Sequence, residues 1–197
     1  KGKLEMVATD GYRLGHFEIA VVSKTSEQVS LIIPSKSLLE VSKIVSEFGE
    51  GKEGSELKMI VADNLSQINF RIENVEYTSR LIEGEYPNCQ GVIPQEYKTT
   101  ITMKRVELLN QLKAASIFSN KIQEIHIVAD PAKKTLELSA KNTEFGENNS
   151  TLHVAIEGEE GESSFNWRFF IDGLSQIKDS DVEFGMNGAD GPAVLKG

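Results

Sequence analysis

One cysteine, Cys89, stands among 197 residues. A single thiol excludes an internal disulfide and a multi-cysteine metal centre, and it fits a reducing compartment. Histidine is almost as scarce. His16, His126 and His153 are scattered, each in strand-like sequence, without the clustered ligand spacing of a metal site. No apolar run approaches the roughly 18 residues of a membrane span. Lys1-Gly2-Lys3 leads straight into alternating sequence, not into the apolar core of a signal peptide. There is no Walker loop and no G-x-S-x-G elbow. The expectation is a cytoplasmic, non-catalytic protein with no metal, no cofactor and no membrane contact. The chain also lacks a starting Met, so it reads as a fragment or a processed chain.

Positive charge is in deficit as well. Lys and Arg number 21 against 30 Asp and Glu, a net charge of −9. On average this opposes a nonspecific nucleic-acid binder, but an average does not describe a local face. The stretch Met103–Lys121 holds Lys104, Arg105, Lys113 and Lys121 against Glu107 alone, a local excess of three positive charges. In Ser35–Phe48, Lys36 and Lys43 are cancelled by Glu40 and Glu47. The acidic excess therefore lies mostly in strands and loops. Either helix surfaces simply carry lysine, or helices face a polyanion while the outer surface stays acidic.

What is present is repeated pattern. Lys3–Thr9 and Leu14–Val21 alternate as strands around Asp10-Gly11, a two-residue turn signal. Val29–Ile33 reads as a strand, and Pro34-Ser35 opens a helix with Leu38, Leu39, Val41, Ile44, Val45 and Phe48 at near-helical spacing, stopped by Gly49. Strands Leu57–Ala62, Ser66–Ile72 and Val75–Leu81 follow, with turns at Asp63-Asn64 and Glu73-Asn74. The order then recurs: strand Thr99–Met103, a helix over Lys104–Phe118, and strands Glu124–Ala129, Thr135–Lys141 and Ser150–Glu157. It begins a third time at Ser163–Asn166, with a helix carrying Phe169, Phe170, Leu174 and Ile177, then Val182–Met186 and Ala193-Val194-Leu195. The unit is β-α-β-β-β, and repeated units of this kind stack as related modules. Ile82–Lys98 has weak periodicity and carries Pro87 and Pro94, which suits an interdomain connection. Domain boundaries are expected at 1–90 and 98–197, with 91–97 as linker.

Gly49-Glu50-Gly51-Lys52-Glu53-Gly54 fits G-x-G-x-x-G. A phosphate cradle needs a strand before it and a helix after it. Here the order is reversed and two glutamates would repel phosphate, so a plain loop is expected. Glu157–Glu162 reads as a solvated hairpin or module junction. A third class, an enzyme, would need paired carboxylates with shifted pKa values in a cleft, and no pair is singled out.

Val7-Ala8-Thr9-Asp10-Gly11-Tyr12-Arg13-Leu14 resembles the V-A-T-D-G-[HY]-R-L stretch of the bacterial sliding clamp family, the beta subunit of DNA polymerase III. Ile33-Pro34-Ser35-Lys36 is similar to I-V-P-R-K, and Thr78–Pro87 to T-S-[KR]-L-[IV]-[DE]-G-x-[FY]-P. Ala114–Asn120 resembles A-A-I-L-S-N with a one-residue shift, and Phe165-Asn166 the F-N before the last helix. The motifs keep the family's order over essentially the whole chain.

The resemblance implies an α+β DNA-clamp fold with two β-α-β-β-β modules per domain. It places this chain as the C-terminal part of a second domain and most of a third, lacking its last strand. The function implied is that of a processivity factor. Two protomers form a homodimeric ring around duplex DNA, helices lining the hole, without sequence readout; DNA polymerase III, other clients and a clamp loader are the partners. Clients insert a short peptide with an aliphatic or aromatic end between domains two and three. The matched positions are Thr9, Gly11, Tyr12, Arg13, Leu14, Pro87, Val92, Asn166 and Phe169, with Ile122 across a one-residue gap and Pro192-Ala193 as a further wall. Lys36, Lys43, Lys104, Arg105 and Lys113 are the DNA-facing candidates, and Ile117 and Phe118 those of the ring seam. The rival reading is a monomeric peptide-binding adaptor that does not encircle DNA.

Overall fold

The computed structural model describes residues 2–24, 27–48, 56–89 and 91–197. The expected helix stop at Gly49 and the loop Gly49–Gly54 lie outside the described residues. The chain is α+β and divides into two compact units. One comprises Lys1–Met6 with His16–Asn88, the other Val7–Gly15 with Cys89–Gly197.

The first unit contains the stems of a hairpin, β1 (Gly2–Thr9) and β2 (Leu14–Val21), whose residues are all exposed or half-exposed. Helix α1 (Ser35–Phe48) follows. Pro34 makes a natural helix start because its missing N–H costs nothing there, and its carbonyl accepts from the N–H groups of Ser37 (2.9 Å) and Leu38 (3.3 Å). Val41 is buried with Ile68 and Phe70, and Leu38 and Val45 pack beside them. Leu39 falls off this stripe and is 62% exposed, because one residue turns the helix by about 100°. The sheet beneath is β3 (Lys58–Val61), β4 (Gln67–Ile72) and β5 (Val75–Arg80), all antiparallel. A buried hydroxyl pair joins helix to sheet, Ser79 Oγ donating to Ser37 Oγ at 2.8 Å.

The expected strand Val29–Ile33 does not form a ladder. Of its residues only Ile32 pairs, with Ile82, whose N–H donates to the Ile32 carbonyl at 2.8 Å. Its apolar neighbours Leu31 and Ile33 pack on the small core, so their hydrophobicity records burial rather than strand pairing. The connection after Ile82 has neither helix nor strand among its described residues up to Lys98.

The second unit carries two four-stranded sheets. One has the order β10-β6-β12-β13 and the other β11-β7-β8-β9. Their strands are β6 (Thr99–Lys104), β7 (Glu124–Asp130), β8 (Thr135–Asn142), β9 (Gly146–His153), β10 (Ala155–Gly158), β11 (Gly161–Asn166), β12 (Asp181–Met186) and β13 (Val194–Lys196). Helices α2 (Arg105–Ser116) and α3 (Trp167–Gln176) follow β6 and β11. Period-two alternation puts one face of each central strand inward: Ile125, Ile127 and Ala129 from β7, Leu136 and Leu138 from β8, Val182, Phe184 and Met186 from β12. Against them the helices present Leu108, Leu112, Ala115, Phe170 and Leu174. Phe165, Phe170 and Phe184 form an edge-to-face triangle with centroids 5.0 to 5.7 Å apart, the arrangement that ring quadrupoles favour.

Two expectations need correction here. Ser150–Glu157 is not one strand. The chain leaves one sheet at His153 and enters the other at Ala155, with Val154 between them donating its N–H to the Lys134 carbonyl at 3.0 Å. Leu152 and Val154 are buried and Ile156 packs against the same core, so alternation runs through the break and conceals it. The helix expected over Lys104–Phe118 is shorter. Lys104 is its extended N-cap, and after Ser116 the chain tightens into turns, with Phe118 N–H on the Ala115 carbonyl.

Candidate functional site

The tip of the first hairpin belongs to the second unit. It is not the two-residue turn that Asp10-Gly11 suggests. Four residues, Asp10 to Arg13, separate the strands, because the Asp10 side chain is itself part of the turn. Its Oδ1 accepts from the N–H groups of Tyr12 and Arg13, both at 3.0 Å. Thr9 Oγ1 donates to the Arg13 carbonyl at 2.8 Å and accepts from Gly11 N–H at 3.1 Å. Gly11 takes φ 89°, a left-handed conformation that glycine enters without a Cβ clash. The backbone N–H groups of Arg13 and Tyr12, ahead of the Arg13 side chain, hold the Asp10 carboxyl below its ordinary range.

This turn aims Arg13 at α3. The guanidinium donates from Nε to Asp10 Oδ2 at 3.0 Å and from Nη1 to Asp172 Oδ2 at 2.6 Å. Its carbon lies 4.7 Å from the centre of the Phe169 ring, within cation–π range. Asp172, foremost, raises the guanidinium above even its ordinary pKa. Phe169 and Asp172 are three residues apart and so share one face of α3. Tyr12, 86% exposed, stands clear of this clamp. The result is a half-exposed phenyl ring and an exposed tyrosine beside one guanidinium held between two carboxylates. Such a surface suits docking of a partner segment better than bond chemistry.

The remaining expected residues are placed differently from one another. Leu14 is half-buried. Val92 (60% exposed) and Ile122 (70%) present apolar side chains to solvent, and Ala193 packs against the core. Pro87 lies in the first unit. Asn166 has a structural role as the N-cap of α3, its Oδ1 accepting from Arg168 N–H at 3.0 Å. Sequence reading missed Asp172 as the partner of Arg13, and Trp167, whose indole donates to Ser119 Oγ at 2.8 Å. The i, i+3 spacing from Phe169 was the available signal for Asp172.

Of the basic candidates, Lys43 pairs with Glu40 at 2.8 Å and Lys104 with Asp181 at 2.7 Å. Arg105 turns toward the end of α3, donating to the carbonyls of Asp179 (3.0 Å) and Leu174 (3.4 Å). Lys36 and Lys113 are exposed. Ile117 is 70% exposed just past α2, whereas Phe118 packs partly on its own core. An open groove of about 610 Å³ elsewhere in the second unit mixes Lys104, Lys133, Lys134 and His153 with Glu107 and Asp181. It carries charges of both signs, and no expected docking residue lines it.

His16, expected to be isolated, sits 3.0 Å from Glu5 and 3.6 Å from Glu18 on the hairpin stems. These three could supply ligand atoms to one cation. The Lys3 ammonium already lies 2.5 Å from Glu18, and all three side chains are exposed, so the group joins one ion pair to a histidine–carboxylate hydrogen bond across the strand pair. Among the described residues no helix is long and apolar enough to cross a membrane.

Comparison with known proteins adds the family. Residues 1–88 match the family model for the central domain of the DNA polymerase III beta subunit, and residues 90–197 that for its C-terminal domain. The beta sliding clamp of Halalkalibacterium halodurans is 34% identical over 203 residues, covering 98% of this chain and 50% of the relative. That of Bacillus subtilis is 29% identical over 199 residues, covering all of this chain and 50% of the relative. The crystal structure of the DNA polymerase sliding clamp from Bacillus subtilis superposes with a TM-score of 0.88 at 28% identity, covering 98% of this chain and 50% of that one. The chain thus spans about half the length of the relatives it matches. With both of its halves matched, in order and over nearly their whole length, the chain belongs to the DNA polymerase III beta subunit family.

Proposed function

We propose that this chain is the central and C-terminal part of a DNA sliding clamp, a non-catalytic processivity factor of the cytoplasm. The observation that carries the reading is the ordered match of both halves to the beta subunit models, joined to a clamp-like fold at TM-score 0.88. Residues 1–90 and 98–197 act as parts of two clamp domains joined through 91–97. The whole protein closes as a homodimeric ring around duplex DNA, placed there by a clamp loader, and holds DNA polymerase III and other clients through a peptide site.

The peptide-site candidates are Thr9, Gly11, Tyr12, Arg13, Leu14, Pro87, Val92, Ile122, Asn166, Phe169 and Ala193. The guanidinium held over the Phe169 ring, on a tip that also carries exposed Tyr12, supports this assignment. Lys36 and Lys113 are the stronger candidates to meet DNA, since Lys43, Lys104 and Arg105 already have partners. Weak backbone contacts of this kind bind without sequence readout. Exposed Ile117 supports a ring seam at the end of α2, with Phe118 as its backing.

Two measurements test the reading. A fluorescein-labelled five-residue peptide ending in Leu-Phe should bind this chain saturably. The whole protein, once loaded, should stay on closed circular DNA and slide off when the circle is cut. Peptide binding without retention on circles would favour the monomeric adaptor, and absence of both would refute the clamp reading.

A further inference from the structure

We propose that Asp172 is a positioning residue of the hairpin-tip site: it fixes the Arg13 guanidinium across the Phe169 ring and so sets the wall against which a peptide docks. The inference rests on the reading that this tip takes a peptide. Three contacts define the guanidinium. Asp10 Oδ2 holds its Nε edge at 3.0 Å, Asp172 Oδ2 its Nη1 edge at 2.6 Å, and Phe169 lies 4.7 Å beneath its carbon. Asp10 is local to the turn and moves with it. Asp172 is the only one of the two carboxylates that ties the tip to the helix bearing Phe169. Both side chains of this ion pair are exposed, 44% for Arg13 and 59% for Asp172, so the pair by itself stabilises the fold little.

Its effect is on order. An arginine side chain free to sample its rotamers must be immobilised when a ligand arrives, and that cost is subtracted from affinity. Held by two carboxylates and a ring, Arg13 is ordered beforehand. The carboxylates engage Nε and Nη1, which leaves the Nη2 donors aimed in a fixed direction for a carbonyl of the docked segment.

The test uses the 197-residue chain and its Asp172→Asn and Asp172→Glu variants. Fluorescence anisotropy with the labelled Leu-Phe peptide measures affinity, and the Arg13 Nη–H NMR signals report the guanidinium edge that Asp172 holds. In D172N the Arg13 Nη–H signals should average toward free rotation and peptide affinity should fall about two- to fivefold, the upper part of the range for an exposed ion pair. The loss should shrink in about 1 M salt, and the thermal midpoint should not move. D172E should regain most of the affinity. Unchanged affinity in D172N would overturn the proposal while leaving the peptide site intact; so would a loss that Glu fails to restore or that follows a drop in thermal midpoint. A wild-type chain that does not bind the peptide would instead overturn the underlying reading, and the positioning role with it.

Discussion

Arg13 and Asp172 are 159 positions apart in the chain and 2.6 Å apart in the structure. The contact joins a hairpin tip to a helix that the sequence delivers almost at its end. Phe169, one helical step before Asp172, completes the platform. Arg13 is therefore held by a helix as well as by its own turn.

Tyr12 is the cleanest probe of the tip. It is 86% exposed, so removing its ring takes nothing from a core. Tyr12→Ala should lower affinity for the labelled peptide about tenfold, as loss of an aromatic anchor does, with no change in thermal midpoint. Phe169→Ala should lower it at least as much, since both ring surface and guanidinium support go together. Full affinity in either variant would put the docking surface elsewhere.

The tip should be acid-sensitive in a defined direction. The folded-state pKa of Asp10 is depressed, so its contribution is fully present above the ordinary aspartate value of about 3.9. It is lost as pH falls below that value and through the folded pKa. The protection of the Tyr12 and Arg13 amides, their exchange rate taken relative to the intrinsic rate at each pH, should hold from neutral pH downward and fall only in that acid range. A loss of protection between pH 7 and 5 would contradict the Asp10 turn.

Asn166 separates capping from ligand contact. Asn166→Ala should cost about 1 kcal/mol of stability in urea unfolding, the usual loss for an N-cap. Asn166→Ser keeps the acceptor and should restore stability. If Ser restores stability but not peptide affinity, the Asn166 amide also touches the ligand.

Gly185 is a close-packing site. It lies on β12, and a Cβ there would run into the Tyr97 ring. That ring also carries Lys196, whose ammonium sits 4.7 Å above it. Gly185→Ala should destabilise the second unit by about 1–3 kcal/mol, the range for overpacking. Adding Tyr97→Ala should make the Gly185 substitution nearly harmless, a non-additivity that denaturant midpoints will reveal.

Much of the fold was legible from local pattern. Leu14–Val21 and the helix from Ser35 have the limits that alternation and the Pro34-Ser35 signal indicate. Ser150–Glu157 misled because alternation reports which side faces the core, not which sheet supplies the partner. Val29–Ile33 misled for a related reason, since burial against a helix looks like strand hydrophobicity. At the site, the family stretch pointed to Tyr12 and Arg13, and only the i, i+3 spacing from Phe169 hinted at Asp172, because its meeting with Arg13 is long-range. Charge composition marked α2 as basic but was silent on Arg105, whose donors go to backbone carbonyls.

Val154 joins two sheets through a single residue. Side chains alternate with a period of two, so a slip of one residue turns a strand inside out. Because β9 and β10 share that one-residue joint, a slip in either would have to be taken up at once by the other. Each sheet thereby proofreads the alignment of its neighbour, and an insertion at this joint would free both strands to misalign while leaving every side chain of the core chemically intact.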